Sequence, residues 1–287
     1  MTIVVTGATG HLGRLAIDHL LARGVPADGI VGAGRDPQKL AALAEATGVG
    51  TAVIDYSDPA SLDAALAGAT TLVLVSGSEV GKRVEQHGNA VEAAKRAGVE
   101  RLVYTSAPKA TTSALVLAPE HKATEELIAA SGLAATILRN GWYNENYANS
   151  FAQAGATGVH LASTGQGTVA SASRSDYAEA IAAVVTADEP QEHVGAVYEL
   201  SGDTAWTGAE FAATAARVLG RDVVFSDSTP EEHLAALSAA GLDEGTAGFV
   251  VALDGNIRDG LLGETSGDLG RLIGHPTVTL EEYFRSL

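Results

Sequence analysis

Glycines at positions 7, 10 and 13 follow directly on the apolar run Ile3-Val4-Val5 and open a segment rich in alanine and leucine, from about Leu12 to Arg23, that stops at Gly24. Strand, tight turn and helix start, in that order, are the context a glycine-rich phosphate loop needs. Gly7 permits a sharp turn, Gly10 lets the backbone approach a pyrophosphate, and Gly13 lets the helix pack close to the sheet. A helix start also presents unpaired N–H groups and a partial positive charge, which suit phosphate. The spacing is Gly-x-x-Gly-x-x-Gly rather than the commoner Gly-x-Gly-x-x-Gly. In a chain with 33 glycines the three alone would say little; the strand before and the helix after make the stretch a dinucleotide site. Its expected contacts are Gly7, Ala8, Thr9, Gly10, His11 and Leu12.

The elements that must position such a site follow the same rhythm. Strands are expected at Ile30–Ala33, Ala52–Ile54, Thr71–Val75, Leu102–Thr105 and Ala135–Leu138, alternating with helices. Asp36-Pro37 and Asp58-Pro59 start two of those helices, since Asp is a natural N-cap and Pro suits the first helical position. This alternation predicts an α/β fold: a doubly wound parallel-sheet Rossmann domain over residues 1–155, with a smaller C-terminal α+β lobe over 156–287. A helix at Asp176–Thr186 and a strand at Val197–Leu200 return to the main sheet, so about 170–200 joins the first domain. Thr207-Gly-Ala-Glu210 is a capping box, and Thr229-Pro230 opens a further helix. An open cleft is expected between sheet and lobe.

In a doubly wound sheet the ligand lies beyond the carboxyl ends of the strands. The second strand exits through Gly34-Arg35, and Arg35 fits a 2′-phosphate by charge and by its forked donors, which favours NADPH over NADH. Asp36 reads as the helix cap rather than as a ribose-binding acid. Asp55, after the third strand, either accepts from an adenine amino group or caps a helix. Ser76, Gly77 and Ser78, after the fourth, are small enough to admit the nicotinamide ribose. Gly77-x-x-x-Gly81-Lys82 imitates a phosphate loop but is one residue short and lacks the Ser/Thr that would hold magnesium.

Composition bounds the alternatives. The chain has 287 residues and no cysteine, which removes disulfides, thiolate nucleophiles and thiolate metal ligands. Its net charge is −17, which opposes direct nucleic-acid or anionic-membrane binding. No run approaches the roughly 18 apolar residues of a membrane span. The sequence starts with a core strand and leaves no room for a signal peptide, so a cytoplasmic location is expected. The eight histidines are scattered without metal-type pairing. There is no Gly-x-Ser-x-Gly elbow. Glu125-Glu126 and Glu231-Glu232 read as solvated helix faces.

Taken together, Thr6-Gly-Ala-Thr-Gly-His-Leu-Gly13, the Arg35 exit, Ser78-Glu-Val-Gly81, Tyr104-Thr-Ser106 and Arg139-Asn-Gly-Trp-Tyr-Asn-Glu-Asn-Tyr147 resemble the NmrA-like branch of the atypical short-chain dehydrogenase/reductases. Within it they are most similar to the type 2 bacterial NADPH:quinone oxidoreductases. The likeness runs nearly end to end, through Ala170-Ser-Ala-Ser-Arg174, Tyr198-Glu-Leu-Ser-Gly-Asp203 and Leu272-Ile-Gly-His-Pro276. It implies cofactor contacts at Asn140, Gly141, Trp142, Tyr143 and Asn144, with Trp142 and Tyr143 also walling a pocket for a planar quinone. The competing reading of Trp142 and Tyr143 is core at the lobe interface.

One departure from the wider superfamily matters. Its usual Tyr-x-x-x-Lys proton donor is absent: Ala118 stands four residues before Lys122, and Tyr104 and Lys109 are five apart. A quinone tolerates this, because hydride addition gives an aromatic hydroquinone anion that water can protonate. His121 could assist, but a histidine in the first turn of a helix is more often simply solvated, and no acid–base residue is assigned. The resemblance therefore implies two-electron reduction of a quinone by NADPH without flavin or metal. The other readings are a non-catalytic NAD(P)-binding redox sensor acting on a protein partner, and a reductase of another conjugated acceptor such as an enone. A homodimer is the assembly considered.

Overall fold

The computed structural model describes residues 1–287. The chain begins β1 (Ile3–Val5), α1 (His11–Ala22), β2 (Ile30–Gly34), α2 (Pro37–Thr47), β3 (Gly50–Val53), α3 (Pro59–Leu66), β4 (Thr71–Leu74), α4 (Arg83–Ala97), β5 (Arg101–Ser106), α5 (Ala118–Ser131) and β6 (Ala134–Asn140). Next come β7 (Trp142–Tyr143), α6 (Ala148–Thr157), β8 (Val159–Ala162), β9 (Thr168–Val169) and β10 (Ser171–Ala172), then α7 (Arg174–Val185) and β11 (Val197–Leu200). The remainder is β12 (Trp206–Thr207), α8 (Gly208–Leu219), β13 (Val224–Asp227), α9 (Pro230–Ala239), α10 (Glu244–Arg258), α11 (Asp268–Ile273) and α12 (Leu280–Arg285). None of the helices is long and apolar enough to cross a membrane.

These elements form two compact units. The first comprises Met1–Thr111, Leu117–Asn140 and Arg174–Glu199; the second comprises Thr112–Val116, Gly141–Ser173 and Leu200–Leu287.

The first unit is a seven-stranded parallel sheet in the order β11-β6-β5-β4-β1-β2-β3, with helices on its faces. The doubly wound reading is borne out. β1, β4 and the middle of β5 are almost wholly apolar because both sheet faces are covered; Val5, Leu72, Val73, Leu74, Leu102 and Val103 are fully buried. Burying each such side chain contributes about 1.5–3 kcal/mol. Helix starts are fixed locally: the Asp36 side chain accepts from Gln38 N and Lys39 N, and Asp58 accepts from Ala60 N. On one face α1 lies against α7, where His19 Nε2 meets Ser175 Oγ at 2.9 Å and Arg23 reaches Glu179.

At the β5–β6 end of this sheet sits a cluster that reading Glu125 as solvated did not foresee. Glu125 is buried, and the Arg139 guanidinium grips both of its carboxylate oxygens, at 2.9 and 2.6 Å. A further Arg139 nitrogen reaches Glu199 at 2.7 Å, and Ser106 Oγ donates to Glu125. The correction has a simple cause. His121, Thr124, Glu125 and Ile128 are spaced as one helical stripe, and that stripe of α5 is the buried one.

The second unit contains three two-stranded ladders: β7 with β10 and β8 with β13, both parallel, and β9 with β12, antiparallel. The capping boxes at Thr207–Glu210 and Thr229–Glu232 both form, and a third forms at Thr279–Glu282. The sequence reading stopped short of α10, α11 and α12. In α10, Gly245, Gly248 and Gly255 interrupt the composition, but Asp243 caps the start and Ala247, Asp254 and Ile257 are buried.

Glu125→Ala would leave Arg139 without its bidentate partner inside the sheet end. Removing one member of a buried ion pair typically costs about 3–5 kcal/mol. A fall of that order in the free energy of urea unfolding is expected, against a much smaller loss for the exposed Glu126→Ala.

Candidate functional site

The order of the parallel strands reverses between β1 and β4, so the chain leaves these neighbours in opposite directions and opens a crevice beyond their carboxyl ends. A pocket of about 430 Å³ lies there, lined from the β1–α1 turn by Gly7, Thr9, Gly10, His11, Leu12 and Gly13. Arg35, Asp55, Ser76, Gly77 and Ser78 join them, as do Lys39, Tyr56 and Arg174, which the sequence reading did not single out. Ala8 is not in the lining: it is buried beneath, with its N–H donated to Ala33 O at 3.0 Å, which ties the turn to β2.

The turn is compact because three side chains are missing. Gly7 adopts φ +62°, in the left-handed region. A Cβ on Gly13 would lie 2.3 Å from the Gly7 carbonyl oxygen and 2.6 Å from its carbon. Gly13 therefore serves the turn itself rather than only helix–sheet packing. Gly10 donates its N–H back to Gly7 O at 2.9 Å. The first bond within α1 runs from Arg14 N to Gly10 O, and no side chain caps this helix. The N–H groups of His11, Leu12 and Gly13 thus have no helical acceptor, and they stand at the positive end of the helix dipole. That arrangement suits a pyrophosphate.

At the other end of the pocket are Arg35 and Lys39. Asp36 is committed to capping α2, as the sequence reading expects. Arg35 is ion-paired with Glu79, which also takes Lys82 at 3.2 Å. Hydrogen bonds from Lys82 and Arg35 hold the Glu79 carboxyl below its ordinary value. Asp55 does not cap α3, a role Asp58 fills; its Oδ1 accepts from Ser57 N at 2.8 Å.

The loop after β4 is held from behind by α4. Gly77 N donates to His87 Nε2 at 2.9 Å, and Arg83 Nε donates to Gly77 O at 2.6 Å. His87 Nδ1 meets Thr124 Oγ1 at 3.0 Å, and that hydroxyl donates to Glu120 O. These partners assign the His87 proton to Nδ1. Burial, with the Arg83 charge second, pushes His87 down to about 4. On the pocket wall the Tyr56 hydroxyl donates to Thr6 Oγ1 at 2.6 Å, and burial holds this phenol well above its ordinary value. Thr6 Oγ1 in turn donates to Val73 O and accepts from Val75 N, tying β1 to β4.

Behind that loop lies Tyr104, fully buried, with its hydroxyl 2.8 Å from His121 Nδ1. His121 is buried rather than solvated, a second correction with the same cause as Glu125: it sits on the inner stripe of α5. Burial pushes His121 down to about 3, with Arg83 and His87 adding to the effect, and holds Tyr104 well above the ordinary phenol value. Neither exchanges a proton at neutral pH. No three His, Asp or Glu side chains gather as a metal would require.

The remaining expected residues lie elsewhere. Asn140 ends β6 in the first unit, and Gly141 begins the second by donating its N–H to Leu200 O. Tyr143 pairs with Ala172 in the β7–β10 ladder. Asn144 is fully buried, its amide donating to Val278 O and accepting from Ser171 Oγ, so it acts as a strut. Trp142 lines a second pocket, of about 390 Å³, wholly within the second unit.

Sequence and structure comparisons bear on this geometry. The family described as NAD(P)H-binding matches residues 7–188. The chain belongs to this family. It is 45% identical over 280 residues to Quinone oxidoreductase 2 of Escherichia coli strain K12, covering 98% of this chain and 96% of that one. The crystal structure of an NADPH-dependent quinone oxidoreductase from Escherichia coli, complexed with NADPH, superposes with a TM-score of 0.94 at 44% identity over 99% of each chain. Triphenylmethane reductase of Citrobacter sp., complexed with NADP(H), gives 0.94 at 36% identity over 100% of each. The resemblance read from the motifs and the fold are both borne out.

Two predictions follow from this site. Gly13→Ala must push the Gly7 carbonyl aside, so it is expected to destabilise by about 1–3 kcal/mol and to weaken dinucleotide binding measured by calorimetry. The buried histidines set a pH dependence. The ordinary value is 6.5, and the folded values are about 4 for His87 and about 3 for His121. Below pH 6.5 the unfolded chain takes up protons that the folded chain refuses, so this contribution to stability is complete above that pH and is lost as pH falls toward 4 and 3. At pH 5 each histidine contributes roughly 2 kcal/mol less than at neutral pH. The urea midpoint is expected to drop from pH 7.5 to pH 5, and an unchanged midpoint would contradict the assignment.

Proposed function

We propose that the chain is an NADPH-dependent oxidoreductase that reduces a quinone by two electrons, with hydride passing directly from cofactor to acceptor. The observation that carries this is the uncapped start of α1 against the Gly7–Gly13 turn, with Arg35 and Lys39 at the far end of the same pocket. Its likeness to an NADPH-dependent quinone oxidoreductase supports the substrate class.

The pocket residues fit a phosphorylated dinucleotide. The free N–H groups of His11, Leu12 and Gly13 receive the pyrophosphate, and Arg35 and Lys39 receive the 2′-phosphate by charge. Asp55 faces the adenine end, and Ser76, Gly77 and Ser78 leave room for the second ribose. Among the residues after β6, Asn140, Trp142 and Tyr143 remain candidates for the reacting end, with Trp142 and Tyr143 toward the acceptor. When bound, NADPH supplies hydride from its nicotinamide. The overall balance is NADPH, one proton and quinone giving NADP⁺ and hydroquinone. Neither Tyr56 nor Tyr104 is a ready acid for that proton, because the Tyr56 hydroxyl donates to Thr6 and Tyr104 is sealed against His121. A quinone needs none: hydride addition makes its ring aromatic, and the resulting hydroquinone anion is a far weaker base than an alkoxide, so solvent protonates it.

Arg35 sets the selectivity for the phosphorylated cofactor, and Glu79 is its ion-pair partner in the meantime. Both line the pocket, and a 2′-phosphate would replace one anionic partner of that arginine with another. Arg35→Ala is expected to weaken NADPH binding about 10- to 100-fold, the range for losing a hydrogen bond to a charged group, with little change for NADH. Flavin-free protein mixed with a small quinone is expected to consume NADPH much faster than NADH. Clear cofactor binding without turnover of any quinone would instead favour a redox sensor.

A further inference from the structure

Between the end of β4 at Leu74 and the start of α4 at Arg83 the chain crosses one wall of the dinucleotide pocket, which Ser76, Gly77, Ser78 and Glu79 line. Regular structure stops there, so the backbone N–H groups of this stretch need acceptors other than a sheet or helix ladder. Four of those acceptors are side chains from four separate places in the fold. Val75 N donates to Thr6 Oγ1 at 2.9 Å and Ser76 N to Thr105 Oγ1 at 2.9 Å. Gly77 N donates to His87 Nε2 at 2.9 Å, and Gly81 N to Glu120 Oε1 at 2.7 Å.

The last two bonds belong to one network. Arg83 donates from Nε to Gly77 O at 2.6 Å and from Nη1 to Glu120 Oε2 at 3.2 Å. A single guanidinium thus ties the loop's carbonyl to the carboxylate that takes Gly81 N. Arg83 and His87 stand one turn apart on α4, on one face, and both are buried. His87 is fixed in turn: Nδ1 meets Thr124 Oγ1 at 3.0 Å, and Tyr56 and Tyr104 meet its ring edge-on, with centroids 5.9 and 5.6 Å away. The loop itself is half-buried or exposed from Val75 to Lys82. Water could satisfy its backbone, so buried acceptors at fixed places add position rather than satisfaction.

We propose that Arg83, His87 and Glu120 are positioning residues for the dinucleotide, holding the Ser76–Glu79 loop in the shape that receives the second ribose. None of the three lines the pocket, so they act only through the loop. A loop already in its bound shape spares the cofactor the cost of ordering it. This role rests on the dinucleotide reading above and deepens it to what shapes one wall of the site.

Two probes are compared by calorimetry: NADPH, and adenosine 2′,5′-bisphosphate, which carries the adenine and the 2′-phosphate but no second ribose. His87→Leu removes the acceptor of Gly77 N, and His87→Gln keeps one within reach of it. Glu120→Ala removes the acceptor of Gly81 N and the partner of Arg83; its partly exposed side chain makes it independent of the buried position 87. His87→Leu and Glu120→Ala are each expected to raise the NADPH Kd about 5- to 10-fold and to leave the bisphosphate Kd within about 2-fold of wild type, the range for ordering a short piece of loop on binding. His87→Gln should bind both probes as wild type does. Equal weakening of both probes would overturn the proposal, because it would mean damage to the pocket or the fold as a whole. Unchanged NADPH affinity in His87→Leu and Glu120→Ala, or no recovery in His87→Gln, would overturn it too. Wild type that bound neither probe would instead overturn the dinucleotide reading, and the positioning role with it.

Discussion

The close approach of Gly13 to the Gly7 carbonyl, which leaves no room for a side chain, is the constraint on which the glycine turn and its pocket depend. With no side chain at position 13, the first turn of α1 closes onto the carbonyl of the preceding turn, and three backbone N–H groups are left facing the crevice. A methyl group there would meet that carbonyl at 2.3 Å. Everything else in the pocket completes a site whose proposed anion-binding centre is set by this approach. Because the chain carries a net charge of −17, attraction of an anionic cofactor rests on such local geometry and not on the overall field.

The wall opposite the turn obeys a different rule. The loop after β4 has no regular structure of its own, and at Gly77 its backbone groups are satisfied by α4: His87 accepts the Gly77 N–H and Arg83 donates to the Gly77 carbonyl. This holds only while His87 stays neutral, since its Nε2 must accept. The binding loop is thereby coupled to the same buried histidines that make the fold sensitive to acid. Tyr104 and His121 sit behind it as a sealed pair. A buried Tyr104 that cannot give up its proton is compatible with an acceptor that needs no acid.

Much of this was legible from residue order. Strands β1 to β6, the caps at Asp36 and Asp58, the capping boxes at Thr207 and Thr229, and most of the lining of the dinucleotide pocket follow from local chemistry, which the sequence carries directly. What could not be read was which face of a helix is inside when polar residues occupy it. On α5 the inner stripe is His121, Thr124, Glu125 and Ile128, and counting apolar residues alone passes over it. Tyr56 and His87 escaped for a related reason: each acts through a partner distant in sequence, Thr6 for one and Gly77 for the other only once α4 is folded back. The glycine-rich α10 was obscured by composition, and its burial decides its structure.

Hydride passing directly from NADPH to a quinone would leave an isotopic signature on the cofactor. The most direct test is a single-turnover measurement with flavin-free protein preloaded with NADPH and rapidly mixed with menadione. It compares cofactor deuterated on one or the other face of the nicotinamide C4. Loss of the reduced-nicotinamide absorbance in one phase, slowed several-fold by deuterium on one face only, is the predicted result. No loss of absorbance on mixing, or a rate indifferent to deuterium on either face, would contradict it.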